Sequence, residues 1–254
     1  MPVVLKSERD IAQIRSAGSV LAQVQSRLRG MIAPGVTTGE LDDAAAETIR
    51  DAGAAASFLG YRGYPASICA SVNDEVLHGI PGRRELRDGD IVSIDVGVML
   101  DGFHADAAFT QGVGEIDAEA ARLIEVTELA FWRGIATLTP GERLGDMAAA
   151  IQSCVEEAGF SVVRDYAGHG VGRSLHEDPS APNWGSAGSG SLVREGMTLA
   201  IEPMVTTGSP EVRVLEDGWT VVTVDGGLAA HFEHTVAIAS GGRMVLTTPA
   251  VVVV

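Results

Sequence analysis

Apolar residues return at helical spacing near the start of the chain. Ile11, Ile14, Ala17, Gly18, Leu21, Val24 and Leu28 fall on one face of a 3.6-residue period. Ser7, three residues before Asp10, is a candidate N-cap and Gly30 the expected stop, which predicts a helix over residues 7–30. After the Ala33-Pro34-Gly35 turn, Thr37 or Thr38 caps a second helix through Leu41, Ala45, Thr48 and Ile49, ending at Gly53. A third amphipathic run, 117–138, carries Ala121, Ile124, Leu129 and Ile135, and a fourth ends at Gly159. Between and after them the period changes to that of strands, at 68–72, 75–78, 90–100, 104–111, 197–204, 219–225 and 232–239. Asp101-Gly102 is a two-residue hairpin signal. With a simple turn there, Leu100 faces Phe103, Gly97 faces Asp106 and Asp95 faces Ala108. Asp95 and Asp106 then share a sheet face as diagonal neighbours, roughly 7–8 Å apart at Cα.

The helical pattern repeats. The segment from Ala33-Pro34-Gly35 to Gly53 matches the segment from Thr139-Pro140-Gly141 to Gly159 at a constant offset of 106 residues. Chance likeness of two Ala-rich helices is the plainer account. Matching punctuation at both ends favours an internal duplication, with halves at about 7–115 and 116–248 inside one domain spanning 1–254.

Composition narrows the class. At 254 residues, 46% hydrophobic and 20% charged, with mean hydropathy +0.19, the chain is globular in composition. A formal charge of −16 repels phosphate backbones, so neither direct nucleic-acid binding nor an anionic membrane surface is expected. Two cysteines, Cys69 and Cys154, make no disulfide framework and fit a reducing cytoplasmic setting. No signal-peptide apolar core is evident, no run approaches the roughly 18 residues of a membrane span, and the valine tail at 251–254 is far too short.

The chemistry gathers around one stretch, Gly168-His169-Gly170-Val171-Gly172-Arg173-Ser174-Leu175-His176-Glu177-Asp178-Pro179. Its three glycines suggest a shaped loop whose backbone passes close to a ligand. A lone histidine in such a loop is more often a hydrogen-bonded core residue. The rest of the chain changes that weighting, because Asp95, Asp106, Glu202 and Glu233 each interrupt an apolar, strand-like run. A carboxylate there is costly unless paired or metal-bound. Asp95 and Asp106 as solvent-facing edge residues is the bland alternative, and their apolar and small neighbours argue against it. Four carboxylates and an imidazole suit Mn, Fe, Co or Zn. Two such cations about 3.5–4 Å apart can hold a bridging hydroxide and polarise a carbonyl. The single Glu75-x-x-His78 beside turn residues does not make a di-iron bundle, which needs two such motifs on helices. His-Glu-x-x-His, Gly-x-Ser-x-Gly and dinucleotide fingerprints are absent from the sequence. The glycine- and serine-rich residues 183–191 read as a flexible connector.

Taken together, Gly168-His169-Gly170…His176-Glu177-Asp178-Pro179, Ile94-Asp95-Val96-Gly97 with Asp106, Ile201-Glu202-Pro203, Phe232-Glu233-His234-Thr235 and Gly60-Tyr61-Arg62-Gly63-Tyr64-Pro65…His78-Gly79-Ile80-Pro81 resemble the type I methionine aminopeptidases over nearly the whole chain. The likeness is to members without an N-terminal zinc-binding extension, and the 176–202 interval has no room for the helical insert of type II enzymes. The resemblance implies a pita-bread α/β (α+β) fold: two pseudo-symmetric halves with a central antiparallel sheet and helices outside. It implies two divalent cations held by Asp95, Asp106, His169, Glu202 and Glu233, with Asp106 and Glu233 bridging. Glu202 would shuttle a proton, His176 would stabilise the tetrahedral oxyanion, and His78 would contact substrate near the scissile amide. Tyr61, Tyr64, Cys69 and Trp219 would line a methionine pocket, each with plain core packing as its bland alternative. Leu77 and Leu175 stand where relatives often carry Cys and Phe, and His231 where Gln is common, next to the expected metals. The implied activity is removal of initiator methionine from peptides and nascent chains whose second residue is small. That fits a cytoplasmic monomer in transient contact with the ribosome. Pro2 is small, so Met1 is itself an expected substrate. A proline-specific peptidase of the same superfamily and a non-catalytic binding protein on the same fold are the alternatives. The first usually carries a further N-terminal domain, and the second loses ligands, all five of which are present here.

Overall fold

The computed structural model describes residues 2–250 and 252–253. Met1, read above as a substrate, lies outside them, as do Val251 and Val254 of the tail. The helices begin where their caps were legible. Ser7 and Asp10 form a reciprocal capping box at α1 (Glu8–Met31), and Thr37 and Glu40 form another at α2 (Thr38–Asp51). Asp117 caps α3 (Ala118–Ile135), and Arg143 precedes α4 (Leu144–Glu157). Gly30 does not stop α1. It is exposed, nothing would crowd a side chain there, and the helix runs on to Met31 before Ile32 turns extended.

The strands follow in order: β1 (Ala55–Ala56), β2 (Ile68–Val72), β3 (Glu75–Leu77), β4 (Ile91–Leu100), β5 (Phe103–Gly112), β6 (Ser161–Val162), β7 (Gly168–Gly170), β8 (Glu177–Ala181), β9 (Thr198–Ile201), β10 (Met204–Thr206), β11 (Val212–Val214), β12 (Val221–Thr223), β13 (Ala229–His231), β14 (His234–Ala239), β15 (Gly242–Val245) and β16 (Val252–Val253). The named pairings are all antiparallel. The β4–β5 hairpin has the register its turn dictates, with Leu100 opposite Phe103, Gly97 opposite Asp106 and Asp95 opposite Ala108.

The offset of 106 residues carries α2 onto α4 end for end and β1 onto β6. It also carries Gly39 onto Gly145, and both glycines sit where a side chain would strike backbone, of Gly82 and of Ser186 respectively. One core joins α1, α2, β2, β4 and β5 through residues such as Leu21, Leu41, Ile94 and Phe109. The other joins α3, α4, β9 and β14 through Leu123, Phe131, Ile151 and Val236. The two meet along β5 and β14. There Glu233 and Ala108 exchange both backbone hydrogen bonds (2.9 and 3.2 Å), while the Thr235 hydroxyl takes the Asp106 N–H and donates to the Asp106 carbonyl. This seam makes one antiparallel surface from β2 to β7, with helices packed on its outer face.

Two strand expectations need correction. Glu202 and Glu233 do not lie within strands. They occupy the gaps between β9 and β10 and between β13 and β14. The register is unbroken across both gaps, since His234 faces Ile201 on one side and His231 faces Met204 on the other. The ladder lapses at Pro203, which has no N–H, and at Glu233, whose backbone pairs with β5 instead. The glycine-rich segment 183–191 is also no free connector. Its backbone is tied to the start of α4, by Leu144 N to the Ser191 carbonyl, Gly145 N to the Ser189 carbonyl, and Gly188 N to the Asp146 carboxylate.

Candidate metal centre and peptide pocket

Two neighbouring rows of this surface carry the five expected ligands. In the first, Cys69 faces Asp95, Asp95 faces Ala108, Ala108 bonds Glu233, and the continuing register sets Glu233 opposite Glu202. In the second, Gly97 faces Asp106, Asp106 bonds Thr235, Thr235 faces Ala200, and Ala200 faces His169. The rows are two residues apart on every strand, so all five side chains emerge from one face. Gly97, Ala108 and Ala200 are the small residues between them. A side chain at Gly97 would run into Ser57 and Phe58, at 2.8 and 2.7 Å.

The ligand atoms converge. Asp106, His169 and Glu233 offer atoms that all lie within 4.8 Å of one another. His169 Nε2 is 3.7 Å from Glu202 Oε1. His169 Nδ1 lies 2.9 Å from the Gly170 carbonyl, which turns Nε2 toward the carboxylates. Asp106 is 4% exposed and Glu233 2%. Asp95 Oδ1, Asp106 Oδ1 and Glu233 Oε1 are buried without a hydrogen-bond partner. Burial pushes the Asp95 carboxyl up to about 7. Burial also raises Asp106, Glu202 and Glu233 well above the usual carboxylate range, and for each of them neighbouring carboxylates add to it. Four enclosed carboxylates, three of them with an orphaned oxygen, and one correctly turned imidazole are a donor set built for cations, which would satisfy the oxygens and cancel the repulsion.

Above the carboxylates lies a cavity of about 140 Å³. Tyr61, Tyr64, Cys69, His78, His176 and Trp219, all anticipated, line it, and so do Leu77 and Leu175. Tyr61 stacks on His176 at 5.2 Å, and His176 approaches His169 at 4.1 Å, both between ring centroids. Tyr64 meets Trp219 edge-on at 5.1 Å, while its hydroxyl donates to the Ile68 and Gly79 carbonyls. His78 takes a left-handed backbone, φ 58°, just before Gly79, where an added side chain would lie 2.5 Å from the Ala70 carbonyl oxygen. Its ring sits edge-on to Tyr166 and Trp219. Burial lowers His78 to about 4 and His176 to about 3, so both imidazoles are neutral near pH 7.

His231 is buried, with Nε2 unpartnered and 3.8 Å from a carboxylate oxygen of both Glu202 and Glu233. Two cavity residues, Phe58 and Arg62, were given no role at the site from the sequence, nor was Asn183, whose side-chain amide donates to the Glu202 carbonyl. The three glycines of the 168–179 stretch also serve differently from expectation. None has positive φ. Gly168 and Gly170 let β7 lie against the carbonyls of Ala200 and Asp178, and Gly172 leaves room for Lys6 and Glu177.

The model of metallopeptidase family M24 matches residues 12–240. The methionine aminopeptidase of Clostridium perfringens is 54% identical over 96% of this chain and 98% of its own length. Methionine aminopeptidase 1 of Bacillus subtilis is 50% identical over 96% and 99%. The crystal structure of methionine aminopeptidase from Thermotoga maritima superposes with a TM-score of 0.96 at 45% identity, covering 97% of this chain and all of that one.

Proposed function

This chain belongs to metallopeptidase family M24, and from that premise we propose that it is a methionine aminopeptidase acting on peptides and nascent chains whose second residue is small. The observation that carries this reading is the convergence of Asp95, Asp106, His169, Glu202 and Glu233 beneath a small aromatic-walled cavity. The whole of 1–254 acts as one catalytic domain of two duplicated halves. Asp95, Asp106, His169, Glu202 and Glu233 would hold two divalent cations. When bound, the cations supply a nucleophilic oxygen at neutral pH and polarise the scissile carbonyl. Glu202 takes up a proton at its carboxylate and returns it to the leaving amine. His176, exposed at the cavity and neutral near pH 7, donates from its ring N–H to the oxygen on which charge develops. His78 contacts substrate at the scissile amide. Tyr61, Tyr64, Cys69, Leu175 and Trp219 enclose the methionine side chain.

No helix among the described residues is long and apolar enough to cross a membrane. On this reading the protein works in the cytoplasm, as a monomer in transient contact with ribosomes.

With Mn, Fe or Co added, Met-Ala-Ser is expected to be hydrolysed at least about 100-fold faster than an Xaa-Pro dipeptide, as kcat/KM. Preference for Xaa-Pro would make the protein a proline peptidase. No hydrolysis with any of these metals would favour a binding protein. Intact mass of the protein produced in a wild-type host is expected to show Met1 removed ahead of Pro2. Full retention of Met1 counts against the assignment.

A further inference from the structure

The chain contains a single lysine, Lys6, against seventeen arginines. That lysine is 8% exposed, and its Nζ lies 2.5 Å from Glu177 Oε2 and 3.0 Å from the Val4 carbonyl. The other carboxylate oxygen of Glu177 accepts the Ser174 N–H at 3.1 Å. Glu177 directly follows His176, so this carboxylate closes the turn that presents the imidazole. Lys6 is itself fixed. Its backbone N–H bonds the Gly196 carbonyl, and Ser7 next to it caps α1. The ammonium stem fills the space over Gly172, where an added side chain would lie 2.5 Å from Lys6 Cε and 2.7 Å from Glu177 Oε1.

We propose that the Lys6–Glu177 ion pair positions His176 against the substrate carbonyl, making Lys6 and Glu177 positioning residues for the reaction. This rests on the reading of His176 as a substrate contact. A buried ion pair contributes little net stability compared with well-packed apolar residues of similar volume. Its directional bonds do something apolar residues cannot: they fix the chain on both sides of one carboxylate, and with it the ring one residue earlier. A small misplacement of a catalytic group costs rate far out of proportion to its effect on stability.

The experiment uses the single lysine as its own reporter. Acylation of Lys6 by an amine-reactive ester, followed by mass spectrometry, is expected to be slow in the metal-loaded wild type. It should rise by at least about 10-fold in Glu177→Gln, where the ammonium loses its charge partner. Lys6→Met is expected to lower kcat for Met-Ala-Ser about 10- to 100-fold with KM within about 2-fold. Because Lys6→Met leaves Glu177 buried and unpaired, the double variant Lys6→Met/Glu177→Met is measured beside it. It should recover wild-type thermal stability while kcat stays low. Recovery of kcat along with stability would reduce the pair to scaffolding and overturn the proposal, as would an unchanged kcat in Lys6→Met or free-amine acylation rates in the wild type. An inactive wild type would instead refute the peptidase assignment, leaving the acylation result to judge the pair.

Discussion

Asp106→Asn is expected to lower kcat/KM for Met-Ala-Ser on the order of 10³-fold or more, and at the same time to make the metal-stripped protein more stable. Asp106 occupies the middle of its row, opposite Gly97 on one side and bonded to Thr235 on the other, with its Oδ1 buried and unpartnered. The amide keeps the volume but gives up a charge and replaces one oxygen by a donor, which turns N–H groups toward the cations. The backbone bonds of Asp106 run to Thr235 and do not involve the side chain, so the sheet survives the change. In the stripped wild type, burial and the nearby carboxylates of Asp95 and Glu202 disfavour the charged form of Asp106, and an uncharged amide escapes that penalty. Thermal melts should show Asp106→Asn above wild type in chelator, and little further gain on adding metal, where wild type gains strongly by mass action. An Asp106→Asn protein that kept both its activity and its metal-induced rise in Tm would remove Asp106 from the ligand set.

The parts of this site that could be read from the sequence are those fixed by short-range chemistry. Asp101-Gly102 dictates the hairpin register, and the register alone puts Asp95 and Asp106 on one face. Ser7-x-x-Asp10 and Thr37-x-x-Glu40 set two helix starts through bonds between near neighbours. The offset of 106 was visible because α2 and α4 carry the same punctuation at both ends. The fate of Glu202 and Glu233 was not visible. Hydropathy runs smoothly through both; Pro203, which lacks an N–H, marks the break beside Glu202, but the lapse at Glu233 arises because its backbone finds Ala108, 125 positions away. Phe58, Arg62 and Asn183 lie in irregular segments with no period to mark them, and they reach the site through tertiary packing. The same holds for Lys6. In sequence it is one charged residue before a cap. In space it is the counter-ion of the residue that follows His176.

Chelation should convert a nearly pH-independent protein into one that loses stability as pH rises above about 6.5. In the stripped fold burial pushes Asp95 up to about 7, and Asp106, Glu202 and Glu233 are also raised well above the carboxylate range. In the unfolded chain all four are ionised above about pH 4. The folded state therefore holds more protons, and stability falls with pH by about 1.4 kcal/mol per pH unit for each proton retained. Below about 6.5 this fall is opposed, because burial depresses His78, His169, His176, His231 and His234 while the unfolded chain protonates its histidines. That counter-slope ends once unfolded histidines are neutral, which leaves the carboxylates alone above about 6.5. With one to two protons retained, Tm in chelator should drop by roughly 5 °C or more between pH 6.5 and 8.5. Bound cations hold the same carboxylates ionised in the folded state, which removes the slope and makes metal binding tighter as protons leave. Melts at pH 6.5, 7.5 and 8.5, with and without chelator, should show the gap between loaded and stripped protein widening at each step. A gap that stayed constant or narrowed would mean that these four carboxylates are already ionised, and solvated, without metal.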